Sequence, residues 1–303
     1  MSKPNSYQRR LNDTFAPPPT HTHTRTHSRI VRRLDPSKDK YVLDSLACFF
    51  ADPAKAIEKS MLGSARLHFG CRAQAWDRFY TNFQSRYVAI SQLNDELAQR
   101  AAVELSAYLA FFGMFTKGTQ LLSTNSLFFE QVVISLINTA QRLSLRPYQT
   151  NFTQRQVACL ITAVKTGLTV AKKSLLVPVR VTDTLITKIL LGTFACLPAF
   201  DSFYRVGVKT LYTYAGYINL PLSLVQFPHK LGTDIGEFLQ WSYSRQVIDQ
   251  FSKWIPFELV AYPFEKTKTH VMPYPIMRSI DLLLWTVGKT VISTKESHKV
   301  LPN

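Results

Sequence analysis

Apolar side chains recur at helical spacing along almost the whole chain after residue 35, and this period limits the fold more than any other feature. In the first run, Val42, Leu46 and Phe49 follow one another at intervals of three and four residues. The run stops just before Pro53, as helices do. We therefore predict an all-α protein, an irregular multi-helix bundle of roughly nine to eleven helices with little or no β structure.

The same spacing predicts further helices, which differ in length and in how they begin. They cover about residues 94–115, 127–140, 153–168, 182–192 and 233–254, a segment after Pro198, and 275–288. The Val-Val-Ile run within residues 127–140 would also suit a short strand. Thr153 with Gln156 three residues later forms a capping box, which fixes the start of its helix. Four prolines between residues 256 and 275 leave room for a strand only near residues 259–262.

A helical domain is predicted over residues 35–303, behind an arm of different composition. The linker Leu-Arg-Pro-Tyr at residues 145–148 leaves open a division into two lobes near residues 145–152. Residues 1–34 contain Pro17-Pro18-Pro19, an alternating His/Thr run and few aliphatic side chains. Such a segment cannot bury enough surface to offset its ordering entropy, so a disordered arm is predicted.

Positive charge is spread over both parts of the chain. The 36 Lys and Arg exceed the 20 Asp and Glu, for a net charge of +16. The arm carries seven Lys or Arg and one Asp, which gives +6 and leaves +10 for the rest. Such a balance favours polyanionic partners. The predicted nucleic-acid-binding residues are Arg25, Arg29, Arg32, Arg33, Lys172, Lys173 and Arg180.

The sequence gives little support for a metal site or for disulfide bonds. His21, His23 and His27 in the arm could hold a metal loosely, but solvated imidazoles without supporting partners usually bind nothing. No cofactor or metal is predicted. The four cysteines form no C-x-x-C pair and lie in apolar surroundings, so we expect four reduced, buried thiols. With no signal peptide and no apolar run of membrane-spanning length, a cytoplasmic location is predicted.

An aromatic stripe at helical spacing has two interpretations. Its members are Trp76, Phe79, Tyr80, Phe83 and Tyr87, with arginines between them. Such a stripe could stack nucleic-acid bases. Large aromatic side chains at this spacing more often form a core, which is the interpretation that we favour.

The familiar catalytic motifs are missing, but one segment has a distinctive order. No phosphate-binding glycine loop, zinc-protease helix or nucleophile elbow is present. Residues 184–204 place Lys188 on a helix, then a tight turn, Pro198 and Asp201. This order is similar to that of helix-hairpin-helix proteins of the DNA-glycosylase type, although residues 176–181, Leu-Val-Pro-Val-Arg-Val, replace the glycine-rich hairpin of that family.

That resemblance implies a catalytic role for Asp201, with Lys188 and Tyr204 as its neighbours. The aspartate of the family opens the helix after the hairpin, where it can cap backbone amides or stabilise a developing cation beside a flipped nucleotide. The alternative, which we favour, is structural. In that case Asp201 is a helix N-cap and the Lys188 side chain reaches solvent.

Three segments resemble a set found in uncharacterised bacterial proteins. They are Ala-Tyr-Leu-Ala-Phe-Phe-Gly-Met through Thr-Gln-Leu-Leu at residues 107–122, residues 189–204, and Tyr-Pro-Ile-Met-Arg-Ser-Ile-Asp-Leu-Leu-Leu-Trp at residues 274–285. The resemblance spans about residues 95–290 and implies a helical fold and a bacterial cytosolic setting, without a mechanism.

Arg278 and Asp281 in the last segment stand three residues apart, which predicts a structural ion pair of a few tenths of a kcal/mol.

Two functions are therefore carried forward. The first is a basic helical protein that binds DNA or another nucleic acid through its positive surface and arm, in a bacterial defence or toxin-like role. The second is a non-enzymatic scaffold that binds another protein or an anionic membrane surface. Whether the chain catalyses any reaction, and its oligomeric state, are left open by the sequence.

Overall fold

The computed structural model describes residues 35, 39–62, 70–89, 93–115, 120–176, 179–215, 217, 227–228, 230–231, 235–256, 258–261 and 270–300. Within them the all-α prediction is confirmed by eleven α-helices and one small sheet. The helices are α1 (Lys40–Ala51), α2 (Pro53–Leu62), α3 (Gly70–Asn82), α4 (Asp95–Phe111), α5 (Glu130–Arg142), α6 (Gln154–Leu175), α7 (Asp183–Thr193), α8 (Ser202–Tyr214), α9 (Gly236–Ser242), α10 (Arg245–Trp254) and α11 (Ile276–Val300).

Shorter elements join these helices. A π-helical turn over Phe83–Val88 continues α3, and 3₁₀ turns at Leu121–Ser123 and Ser126–Phe129 precede α5. The sheet pairs β1 (Glu258–Ala261) with β2 (His270–Pro273) in antiparallel register. The predicted strand near residues 259–262 is thus confirmed.

Side-chain caps set the start of several helices, and one of them is the capping box that the sequence predicts. Thr153 and Gln156 form the complete capping box of α6. The Asn94 side chain accepts a hydrogen bond from the Leu97 N–H, 2.8 Å away, at the start of α4. Thr182 accepts from the N–H of Leu185 at the start of α7. Each contact satisfies a backbone donor that the helix leaves without an internal partner.

The hydrophobic core is centred on α7, which is buried along most of its length. α3, α4 and α6 pack around α7, α5 packs against α6, and α11 packs against α8 and α1. One continuous cluster of buried apolar side chains runs from Val42 to Ile292 and includes residues on both sides of the 145–152 linker. The division into two lobes stays a prediction.

The aromatic stripe on α3 and the π-helical turn belongs to this core, as favoured above. All five rings are buried. Trp76 stacks on Tyr80 with ring centroids 4.7 Å apart, and Phe79 stacks on Tyr108 of α4 at the same distance. The rings therefore pack α3 against its neighbours and leave no aromatic face for bases.

Three elements differ from the sequence prediction. The single helix predicted over 233–254 is two helices, because the buried set Phe238, Leu239 and Ser242 is out of helical phase with the next buried residue, Val247. Ser244 is extended and begins the second helix. The last helix continues twelve residues beyond Gly288, and the strand partner β2 was not predicted.

The cysteine prediction is wrong in part. Cys196 is buried, Cys159 is half-buried and Cys48 is exposed, and all three are free thiols. The side chain of Cys71 lies outside the described part, as does the predicted arm over residues 1–34. Among the described residues, no helix combines the length and the apolar character needed to span a membrane.

Candidate functional site

Lys188, Asp201 and Tyr204, the residues predicted to carry chemistry, lie on α7 and at the start of α8. Pro198 and its neighbours form the turn between these helices, and residues 191–200 are all buried. Phe200 donates its backbone N–H to the Thr187 hydroxyl, 3.0 Å away, and accepts a hydrogen bond from the Thr184 hydroxyl through its carbonyl. These bonds fix the turn against α7.

The Lys188 side chain is buried, with 6% of the residue exposed, so the prediction of a solvated lysine is wrong. Its Nζ donates to the Phe112 carbonyl, 2.7 Å away, and lies 3.5 Å from an Asp201 carboxylate oxygen. Phe112 ends α4, where backbone carbonyls lack partners within the helix. An ammonium group is a favourable partner at that end of a helix. This distant partner holds Lys188 inside the protein.

Asp201 is the N-cap of α8, as the structural interpretation predicts. One carboxylate oxygen accepts from the Tyr204 N–H at 3.0 Å, and the other faces Lys188. The carboxylate thus caps a helix and neutralises a buried ammonium group at the same time.

Tyr204 contacts the Asp201 carboxylate through its backbone N–H and not through its side-chain hydroxyl. The ring is fully buried and packs against Phe200, with centroids 5.3 Å apart. Its hydroxyl has no hydrogen-bond partner among the described residues. Burial raises the pKa of this hydroxyl well above its ordinary value, so the group stays protonated at neutral pH.

A second ion pair, Arg278 with Asp281, lies against the same turn. The guanidinium and carboxylate groups are 2.9 Å apart and both side chains are buried. The other oxygen of Asp281 accepts from the Ala199 N–H at 2.9 Å. The Arg278 guanidinium lies 4.9 Å from the centroid of the Trp76 ring. The predicted ion pair is confirmed, but it is a buried link between α11 and the turn and not a pair on a helix surface.

Burial in this cluster makes Asp281 easier to protonate than an ordinary aspartate, so that about half of the carboxyl groups are protonated near pH 6. Burial raises its pKa to about 6, with Asp201 acting in the same direction, whereas Arg278, the Ala199 N–H and Lys188 lower it. Nearby on α3, burial also raises the pKa of Asp77, although its hydrogen bond with Tyr274 and the charge of Arg278 oppose the shift.

The cluster is built to hold the turn in place. The grooves described on the surface are not lined by Lys188, Asp201 or Tyr204. Each of the two buried cations faces a carboxylate, which limits the cost of burying charge. The catalytic role of Asp201 stays a prediction, and the geometry favours the cap and the ion pair.

A second site is the solvent face of α6. Between Glu130 and Asp183 the chain contains no Asp or Glu, and its seven basic residues are Arg142, Arg146, Arg155, Lys165, Lys172, Lys173 and Arg180. All are exposed except Lys172, which is half-buried. None of them forms an ion pair with a described residue. We call the exposed side chains of Arg155, Thr162, Lys165, Thr169 and Lys173 the α6 basic face.

Helix geometry aligns this face. Arg155 and Lys173 are eighteen residues apart, which is five turns of 3.6 residues, so they point the same way about 27 Å apart. Arg142 and Arg146 precede the first end of α6, and Arg180 follows the second. Sequence reasoning found Lys172, Lys173 and Arg180 but missed the rest, which the absence of acidic residues over this stretch could have revealed.

The remaining predictions concern the arginines of the arm and metal binding. Arg25, Arg29, Arg32 and Arg33 lie outside the described residues. No group of three or more His, Cys, Asp or Glu within the described ranges could hold a metal ion. Comparison of the chain with protein-family models, with curated proteins and with solved structures found no match.

Proposed function

We propose that this protein binds nucleic acid through the α6 basic face, with the arginines of residues 1–34 as a second contact. The observation that carries the proposal is the exposed basic face of α6, in a stretch between Glu130 and Asp183 that contains no acidic residue. Some basic side chains elsewhere face carboxylates, as in the pairs Arg245 with Asp249 and Arg100 with Glu104. The basic side chains of α6 have no such partner among the described residues and are available to phosphates.

The dimensions suit a phosphate backbone. The face is about 27 Å long, which equals about eight base-pair steps of 3.4 Å. The hydroxyls of Thr162 and Thr169 stand between the basic residues, although each also donates to a carbonyl of its own helix. Threonine and lysine contacts to phosphate fix position without reading sequence. The proposal is therefore sequence-independent binding.

The more specific role, a bacterial defence or toxin-like function, follows only from the family resemblances. We keep this role and a cytoplasmic location as part of the proposal. The free thiols of Cys48, Cys159 and Cys196 support a reducing compartment. Chemistry at Asp201 would require the turn between α7 and α8 to open to a nucleotide.

Charge-neutralising variants test the site. Arg155→Gln/Lys165→Gln/Lys173→Gln removes three charges from the α6 basic face, and Lys40→Gln/Arg78→Gln/Lys253→Gln removes three exposed charges elsewhere. We expect the first variant to bind a labelled 20-base-pair DNA duplex at least about fivefold more weakly at 100 mM salt, because each lost phosphate contact removes counterion release. The second variant should bind nearly as the wild type does. Equal losses in both would place the binding elsewhere.

Vesicles of anionic lipid and single-stranded RNA serve as further ligands in the same assay. Binding to vesicles with no detectable binding to DNA or RNA would favour the membrane-surface scaffold instead. A protein that binds none of the three would favour the protein-partner alternative and would overturn the proposal.

A further inference from the structure

A groove of about 520 Å³ lies between α1, α2 and α11, away from α6. Its walls include Lys55 and Lys59 of α2 and Lys289 of α11, with Asp52 as the one carboxylate among the described lining residues. The volume falls in the range of pockets for small ligands. A concave groove of this size does not suit a duplex, which needs an extended face.

The lysines on α2 repel each other. Lys55 and Lys59 are four residues apart, so their side chains lie on the same side of the helix, where like charges destabilise it. Both are exposed, and neither forms an ion pair with a described residue. Lys289 approaches from the opposite wall, where its ammonium group lies 5.2 Å from the centroid of the Trp285 ring.

The carboxylate in the lining is already engaged. One oxygen of Asp52 accepts from the Lys55 backbone N–H at 3.1 Å and caps the start of α2. A carboxylate in that position satisfies the helix and not the lysine side chains. Among the described residues, the groove is therefore lined by three lysines, by Ser60 and by one carboxylate that caps a helix.

We propose that this groove binds the polyphosphate group of a small ligand, such as a di- or triphosphate. Several linked phosphates present enough negative charge to engage lysines on two walls at once, whereas a single monovalent anion does not. Binding would also relieve the repulsion between Lys55 and Lys59. The site is independent of the α6 basic face, because the two share no residue.

Inorganic triphosphate is the probe. Calorimetry of the full chain is expected to show saturable binding of triphosphate. The Lys55→Gln/Lys59→Gln variant should bind it at least tenfold more weakly. Lys289→Gln, which changes the opposite wall, should also weaken binding. Cys48 is exposed and lines the groove, so bound triphosphate should slow its alkylation by N-ethylmaleimide. Mass spectrometry of the peptide that contains Cys48 measures the rate of alkylation. Circular dichroism checks that each variant stays folded.

Lys165→Gln/Lys173→Gln on α6 is the matched control and separates the two proposals. It should keep triphosphate binding and weaken DNA binding, while the groove variants should weaken triphosphate binding and keep DNA binding. Absence of saturable binding, or equal binding by the wild type and Lys55→Gln/Lys59→Gln, would overturn the groove proposal. Equal weakening of triphosphate binding by the α6 variant would overturn it too, by showing nonspecific charge attraction.

Discussion

The Asp201 carboxylate serves two partners at once, a backbone N–H of α8 and the ammonium group of Lys188. Asparagine keeps the first contact, because it is a good N-cap, but carries no charge for the second. Among the described residues, Lys188 would then keep only the Phe112 carbonyl as a close partner. Substitutions at Asp201 therefore separate the cap from the ion pair.

We expect Asp201→Asn to lower the free energy of unfolding by about 1–3 kcal/mol, since the buried ammonium group loses one of its two close partners. Asp201→Ala should lose about 1 kcal/mol more, because the cap is lost as well. Urea denaturation measures both. Lys188→Met added to Asp201→Asn removes the stranded charge and should recover stability. An Asp201→Asn protein as stable as the wild type that loses an activity on nucleic acid would favour the catalytic interpretation.

Asp281 should make stability depend on pH in a mildly acidic window. Its pKa is about 6 in the folded protein against an ordinary value of 3.8, with burial as the main cause. Between these values the folded chain holds more protons than the unfolded chain. The contribution of this group to the free energy of unfolding therefore falls as pH rises from about 4 to about 6.

Carbon NMR of the Asp281 side chain measures this titration directly, and we expect a midpoint near pH 6. A midpoint below pH 4 would show that Arg278 outweighs burial.

Asp39 has the opposite effect on the pH dependence of stability. Burial would raise its pKa, but hydrogen bonds and the charge of Lys295, 2.7 Å away, lower it overall. Its stabilisation is lost as pH falls below about 3.8.

The cap was predictable from the sequence and the burial of Lys188 was not. Capping depends on a side chain and a backbone group three residues apart, so Asp201 and Thr153 could be assigned from local spacing. Lys188 depends on a carbonyl 76 residues away, and Asp281 on an N–H 82 residues away. Only the folded chain brings such groups together.

At the scale of the helices, α8 and α11 pack closely against each other through two glycines. A Cβ atom on Gly207 would lie 2.0 Å from the Leu284 carbonyl oxygen, and one on Gly288 would lie 2.0 Å from that of Phe203. Both obstacles are backbone atoms, which cannot move without separating the helices. The absence of a side chain at these two positions therefore sets the distance between α8 and α11.

Alanine at either glycine should destabilise the protein. Within a helix, Gly→Ala ordinarily stabilises by about 0.5–1 kcal/mol. Here we expect Gly207→Ala and Gly288→Ala each to cost about 1–3 kcal/mol, because the added methyl group forces the two helices apart. Thermal unfolding by circular dichroism measures the effect, with Ser293→Ala on the exposed side of α11 as the control. A rise in melting temperature in the glycine variants would be the opposite of this expectation.

The same contact explains why the sequence placed the end of the last helix too early. A glycine after an apolar run usually signals a helix end. Gly288 lies inside α11, where close packing and not chain reversal requires it. By contrast, Gly113 has a φ of 68° after the end of α4, as a terminal glycine does. Periodicity finds helices, but only packing distinguishes these two uses of glycine.

At the scale of the whole molecule, one core accounts for the described helices without the segment over residues 1–34. That segment has too few apolar side chains to add to the core. We expect its deletion to leave the melting temperature within about 2 °C and the helical circular dichroism unchanged. Limited proteolysis should cleave it before the helical body. A large fall in melting temperature would mean that the segment packs against the body.

The central claim is that the α6 basic face contacts phosphates, and the salt dependence of DNA binding tests it most directly. Each phosphate neutralised contributes about 0.9 to the slope of log K against log salt concentration. Arg155→Gln/Lys165→Gln/Lys173→Gln should therefore reduce the magnitude of that slope by about 2–3 relative to the wild type. A slope equal to that of the wild type would contradict the claim, because it would show that these side chains contact no phosphate.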